Sequence, residues 1–265
     1  MKKIPCLINN FNQLEYLIPM VDKLSSFDNL SLYILDNNST YEPLLKWYHS
    51  LANTKIQVIK LGRNSGHMAP WSTHLTHRLA REYRSPYYIV SDPDLDISLI
   101  PEDTIHLMID VLTQREIFKV GLSIEIEDLP EHYPLKNEVT HWESPAWSQE
   151  RKETYKNKTL YRTGIDTTFA MYNIFYTEAV YKHLFFEGGI KFNCNFINTS
   201  LRLDRPYTAR HLPWYLDYNA LTENQKFHTE ICKKSDIFSS SSWTQKALQH
   251  HSNLPTSSKN RIQTV

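Results

Sequence analysis

Glycine is scarce in this chain: six in 265 residues, at Gly62, Gly66, Gly121, Gly164, Gly188 and Gly189. Neither a GxGxxG dinucleotide fingerprint nor a GxxxxGK[ST] phosphate loop can be drawn from them, so the usual dehydrogenase and P-loop readings fall. Cysteine is scarcer still. Cys6, Cys194 and Cys232 are odd in number and far apart, which implies no disulfide framework, no CxxC zinc site and a reducing compartment. Net charge is absent too. Lys+Arg and Asp+Glu are 29 each, so no bulk positive charge suits a nucleic-acid partner. No window approaches the roughly 20 apolar residues that cross a bilayer. The apolar run after Lys3 stops at Asn9, too soon for a signal-peptide core. A cytoplasmic protein is expected, with at most peripheral contact at the inner face of the membrane.

The first half is regular. Ile4 to Ile8, Leu30 to Leu35, Ile56 to Leu61 and Tyr87 to Val90 read as strands. Between them, Leu14–Leu24, Leu44–Leu51 and Trp71–Tyr83 carry apolar residues at helical spacing. This alternation predicts an α/β fold, a mostly parallel sheet flanked by helices in a single domain. Each strand ends in a polar, turn-forming cluster, and ligands in such sheets bind at the carboxyl ends of strands. The second half is less regular. Lys119–Ile126 and Thr167–Tyr172 read as strands, whereas 130–162 reads as a long polar loop with aromatics, and periodicity fades from Ser235. The expected division is a domain over 1–235, with a nucleotide-binding half (1–100) and an acceptor half (101–235), then a C-terminal extension (236–265).

Asp92-Pro93-Asp94 follows the fourth strand. Residues i and i+2 of an extended chain point the same way, so both carboxylates would meet at the rim. Such a pair repels unless a cation lies between, and Mn²⁺ or Mg²⁺ prefers oxygen ligands. The bland alternative is a solvated acidic turn. Asp36-Asn37-Asn38-Ser39 could meet a base or a ribose hydroxyl, and Ser39 or Thr40 could equally cap the next helix. Gly62-Arg63-Asn64-Ser65-Gly66 could cradle an anion ahead of a helix N-terminus, or be a surface turn. His211 could complete a metal shell. With twelve His in the chain, it could equally be a packed structural imidazole. Glu127, Asp128 and Asp166 are strand-end carboxylates, any of which could be a general base. Trp142, Trp147, Trp214 and Trp243 could stack on sugar rings or sit in the core.

Taken in order, five runs resemble nucleotide-sugar glycosyltransferases of the GT-A fold, family-2-like, of the bacterial surface-polysaccharide type. They are Ile34–Thr40, Asn64–His67, Asp92–Asp94, Ile165–Ala170 and Ala209–Tyr215, and Ser123–Pro130 is similar as well. The likeness spans about residues 4 to 218. It implies a donor, expected to be a UDP-sugar, bordered by Asn9, Asp36, Asn38, Arg63, Asn64, Gly66 and Asp92. It implies a divalent cation, Mn²⁺ or Mg²⁺, on Asp92, Asp94 and His211, and Asp166 or Asp128 as the base. It implies a saccharide or glycolipid acceptor and inversion at the anomeric carbon. One departure is that strand two ends in Asp36-Asn37-Asn38 where family 2 commonly has a double Asp. Two rivals remain: a sugar-nucleotide nucleotidyltransferase, and a carbohydrate-binding protein without catalysis. The Asn9–Asn12 turn lacks the glycine and charge expected of the first.

Overall fold

The four apolar runs of the first half become parallel strands in the order β3 (Gln57–Lys60), β2 (Leu30–Asp36), β1 (Ile4–Asn10), β4 (Tyr87–Ser91). The structure is a computed structural model and describes residues 3–165, 168–176, 199–234, 244 and 246–249. Asp166, Thr167, Cys194, Trp243 and nearly all of the 236–265 extension lie outside the described residues.

β1 is buried along its whole length, as a central parallel strand covered on both faces should be. Cys6 and Ile8 join the core cluster of α1 (Leu17–Ser25) and α2 (Glu42–Ser50). Leu7 joins a second cluster with Leu75 and Leu79 on the other face. The helix expected over 71–83 is two pieces, α3 (Ala69–Ser72) and α4 (Leu75–Glu82), because His74 adopts a left-handed φ of 57° between them. The break has a packing reason. Trp71 enters a cluster with Tyr88 and Tyr172, while Leu75 and Leu79 face Tyr33 and Leu35.

Beyond β4 come β5 (Leu95–Asp96), α5 (Thr104–Gln114), β6 (Lys119–Ile124), α6 (Lys136–Glu143), β7 (Lys152–Tyr155), β8 (Lys158–Arg162), β9 (Ala170–Asn173), β10 (Ser200–His211) and α7 (Glu223–Lys234). The sheet continues β4-β9-β6-β10-β8-β7, with β5 paired to β10. Along that path only β9 and β8 run against the other seven strands, so the sheet is mostly parallel, as expected. The segment 130–162 departs from the expected loop. It holds α6 and the β7–β8 hairpin, whose two turn residues, Lys156 and Asn157, have φ of 45° and 64°. Positive φ at both positions is the hairpin-turn geometry usually announced by Asn-Gly, a signal absent here. β10 runs on past Pro206 to His211, with a shift in its pairing to β6 between Leu203 and Thr208 that spans Pro206.

Gly121 lets β9 lie tightly beside β6. A Cβ there would sit 2.8 Å from the Phe169 carbonyl oxygen and 3.0 Å from the Ala170 Cβ. Gly121→Ala is therefore expected to cost about 1–3 kcal/mol by overpacking. An unchanged urea midpoint would show that β9 moves aside freely.

Candidate active site at the strand carboxyl ends

The polar clusters ending β1, β2 and β3 do converge. Asn37 Nδ2 donates to Asn9 Oδ1 at 2.5 Å, and Asn9 Nδ2 donates to the Gly66 carbonyl at 3.2 Å. Ser65 N donates to Asn37 Oδ1 at 3.0 Å. Two asparagines thus fasten three strand ends, and Asn9 is buried by that work. Asp36 is only 3% exposed and turns inward. It accepts from Ser39 N at 3.3 Å and from the Tyr48 hydroxyl at 3.3 Å, and Asn10 Nδ2 donates to the same hydroxyl at 2.8 Å. Burial first, then the Asp36 charge, pushes the Tyr48 phenol well up, so it stays a neutral donor. Asn38 and Arg63 are exposed on the rim, Asn38 with a left-handed φ of 64°.

Two local expectations are revised here. Neither Ser39 nor Thr40 caps α2. Asn12, in the β1 turn, accepts from Thr40 N at 2.7 Å and Tyr41 N at 2.9 Å, and the Ser39 hydroxyl accepts from Asn12 N. This carboxamide, 28 residues away, orders the turn that leads into α2, whose own first turn has no side-chain cap. From Gly66 the chain makes a single 3-10 turn (Gly66–Met68) and then the four-residue α3, so the helix expected after this turn is short. Asn64 Oδ1 takes the Gly66 N–H at 2.8 Å, which sets the left-handed Gly66 turn (φ 64°).

Asp92 and Asp94 part company. β4 ends at Ser91 and the chain bends at Pro93, so the i, i+2 rule of an extended strand does not hold. Asp92 is half-buried, whereas Asp94 is 1% exposed, and both Asp94 carboxylate oxygens lie in the interior with no hydrogen-bond donor. The next two residues, β5, pair antiparallel with the end of β10: Leu95 faces His211 and Asp96 faces Arg210. Leu212 N donates to the Asp94 carbonyl at 2.9 Å. That register carries His211 Nε2 to 3.8 Å from Asp94 Oδ2. His211 also packs edge-on against Trp214, ring centroids 4.6 Å apart.

A buried carboxylate without donors, beside an imidazole, fits a divalent cation with oxygen preference. Asp92 does not complete the set: no group of three or more His, Cys, Asp and Glu is gathered for a metal among the described residues. The structure brings two of the three expected ligands together.

Asp128 is engaged rather than free. Arg210 Nε donates to Oδ2, and the Tyr215 hydroxyl donates to Oδ1 at 2.5 Å. Partial burial would raise its carboxyl, but the hydrogen bonds from Tyr215 and Arg210 outweigh it and hold it below the usual range. A carboxylate held so is a poor proton acceptor.

Sequence reasoning missed the far wall. Gln13, Tyr16, Asn224, His228 and Thr229 are among the residues that line, with Asp94, a partly open cavity of about 20 Å³. Burial, then the Asp94 charge, raises the Tyr16 phenol; burial lowers the His228 imidazole, which Asp94 only partly offsets. The apolar spacing of Phe227 and Ile231 marks α7 as a helix in the sequence, but neither residue lines the cavity.

No protein-family model matches the chain, and no curated protein does. Among solved structures, sugar transferases overlay on it. A mannosyltransferase, PcManGT from Pyrobaculum calidifontis, in complex with GDP-Man and Mn²⁺, matches over 87% of this chain and 61% of its own, at 12% identity and a TM-score of 0.48. TarS 1–349 from S. aureus matches over 99% of this chain and 75% of its own, at 12% identity and 0.49, and LgtC, a galactosyltransferase, over 89% and 97%, at 11% and 0.39. This chain thus spans under two thirds of PcManGT, and overlaps this loose assign neither family nor activity.

Proposed function

We propose that the chain is a metal-dependent GT-A-type glycosyltransferase. It moves a sugar from a nucleotide diphosphate donor, a UDP-sugar, to a hydroxyl of a saccharide or glycolipid acceptor, with inversion. Its setting would be surface-polysaccharide synthesis at the inner face of the cytoplasmic membrane. No helix among the described residues is long and apolar enough to cross a membrane. The observation that carries the reading is the Asp94 carboxylate, buried at the sheet rim without a hydrogen-bond donor and next to His211.

Asp94 and His211 would hold Mn²⁺ or Mg²⁺, which supplies positive charge to a departing diphosphate. Asn38, Arg63 and the Asn9–Asn37–Gly66 fastening would border the nucleotide. Asp36 would act through the turn it orders rather than by direct contact, because its oxygens are turned to Ser39 and Tyr48. Asp128, bound by Arg210 and Tyr215, shapes the acceptor side. Asp166 would serve as the base: it takes the acceptor proton as the acceptor oxygen bonds to the anomeric carbon and the bond to diphosphate breaks.

Calorimetry with UDP, with and without Mn²⁺, tests this. Metal-dependent binding is expected. His211→Ala should raise the Mn²⁺ concentration for half-maximal binding about tenfold or more, since a lost ligand weakens the metal while leaving the nucleotide rim intact. Wild-type protein that ignores UDP at all Mn²⁺ concentrations would leave the carbohydrate-binding alternative.

A further inference from the structure

The cavity beside Asp94, at about 20 Å³, has room for one water molecule. Pockets for ligands of nucleotide-sugar size run to roughly 300 Å³ or more. The wall that closes it is α7, which contributes Asn224, His228 and Thr229. α7 is held to the β1–α1 connection mostly by polar contacts. Asn224 Oδ1 accepts from Leu14 N at 2.8 Å and Glu15 N at 3.2 Å, and its Nδ2 donates to the Asn12 carbonyl at 2.8 Å. Thr222 Oγ1 donates to Glu15 Oε2 at 2.6 Å, and Gln225 Nε2 donates to the Tyr16 hydroxyl at 3.2 Å. Among the described residues, ring contacts at this end of α7 include Phe227 tilted against Tyr41, centroids 5.0 Å apart, and His228 edge-on to Phe11 at 6.4 Å. Asp217, Asn219 and Ala220, which lead into α7, are exposed. Elements held by few buried apolar contacts and several polar ones open at low free-energy cost.

We propose that α7 is a gate over Asp94, latched by the Asn224 side chain, and that it swings about residues 217–222 to admit the donor diphosphate. The structure is then the shut state. In naming the donor as what enters, the proposal rests on the glycosyltransferase reading; the gating itself does not.

The test uses a thiol as a probe of access. Asp94→Cys is made in a Cys194→Ser, Cys232→Ser background, leaving Cys6 as an internal reference with 0% exposure. The labelling rate of position 94 by a small disulfide reagent is measured with and without Asn224→Ala. Three hydrogen bonds are lost, so labelling at position 94 should speed up about tenfold or more while Cys6 stays protected. Equal rates at position 94 would overturn the gate. So would Cys6 reacting in step, because the change would then be general loosening. With Asp94 intact, Asn224→Ala should bind UDP with Mn²⁺ several-fold more tightly, since a larger fraction of molecules is open. Weaker UDP binding with unchanged Cys6 protection would overturn the gate as an entrance. If position 94 is gated as expected but UDP binds no variant, the gate stands and the donor reading falls.

Discussion

Asp94→Asn is expected to lower metal-dependent sugar transfer by about 10²–10³-fold, the usual loss when a group that meets developing charge is removed. The same change is expected to raise the melting temperature. In the free protein Asp94 is a buried carboxylate with no hydrogen-bond donor on either oxygen, a costly arrangement that persists where function needs it. An amide of the same shape carries no charge to desolvate, so the fold should gain about 1–3 kcal/mol. Thermal unfolding and initial-rate assays on one preparation check both. Retained turnover would remove Asp94 from the chemistry. A lowered melting temperature would mean that the carboxylate holds the fold together.

Glu143→Ala is expected to be the most damaging single change to stability. Arg202 Nη1 donates to Glu143 Oε2 at 2.6 Å, with side chains only 8% and 9% exposed, and Arg202 Nε donates to the Gly164 carbonyl at 2.8 Å. Removing one partner leaves a buried guanidinium unpaired, which typically costs about 3–5 kcal/mol. The pair ties α6 to β10 and, through Gly164, to the chain entering β9. The loss should appear as a large drop in urea midpoint with little change in m-value. Glu143→Gln, which keeps an acceptor for Arg202, should recover part of it. Equal losses for both would show that charge, rather than the hydrogen bond, holds this joint.

How much of this was legible depends on the distance over which the signal acts. β1 to β4 could be read because each is an apolar run of strand length bounded by turn residues, and their alternation with helical periodicity implies parallel order. The rim clusters followed from the same rule, since strand ends in such sheets share an edge. The 130–162 segment could not be read. Its hairpin turns on Lys156 and Asn157, whose positive φ is imposed by strand pairing, and α6 is short and faces the core mainly through Val139 and Glu143. A buried Glu reads as a surface residue until its arginine, 59 positions on, is known.

The sequence by itself determined the fold class and the edge on which polar strand ends gather. Local propensity and hydrophobic periodicity act within a few residues, and those conclusions need nothing more. Only the tertiary structure decided which of the two acidic residues lies buried beside His211, because that turns on the bend at Pro93 and the β5–β10 register. It alone turned Asp36 inward, committed Asp128 to Arg210 and Tyr215, fastened the turn before α2 to Asn12, and laid α7 over Asp94. Each of these is a polar contact between residues far apart in the chain. Such contacts form where burial removes water and a partner must be found, and the partner's position along the chain is written in no local pattern.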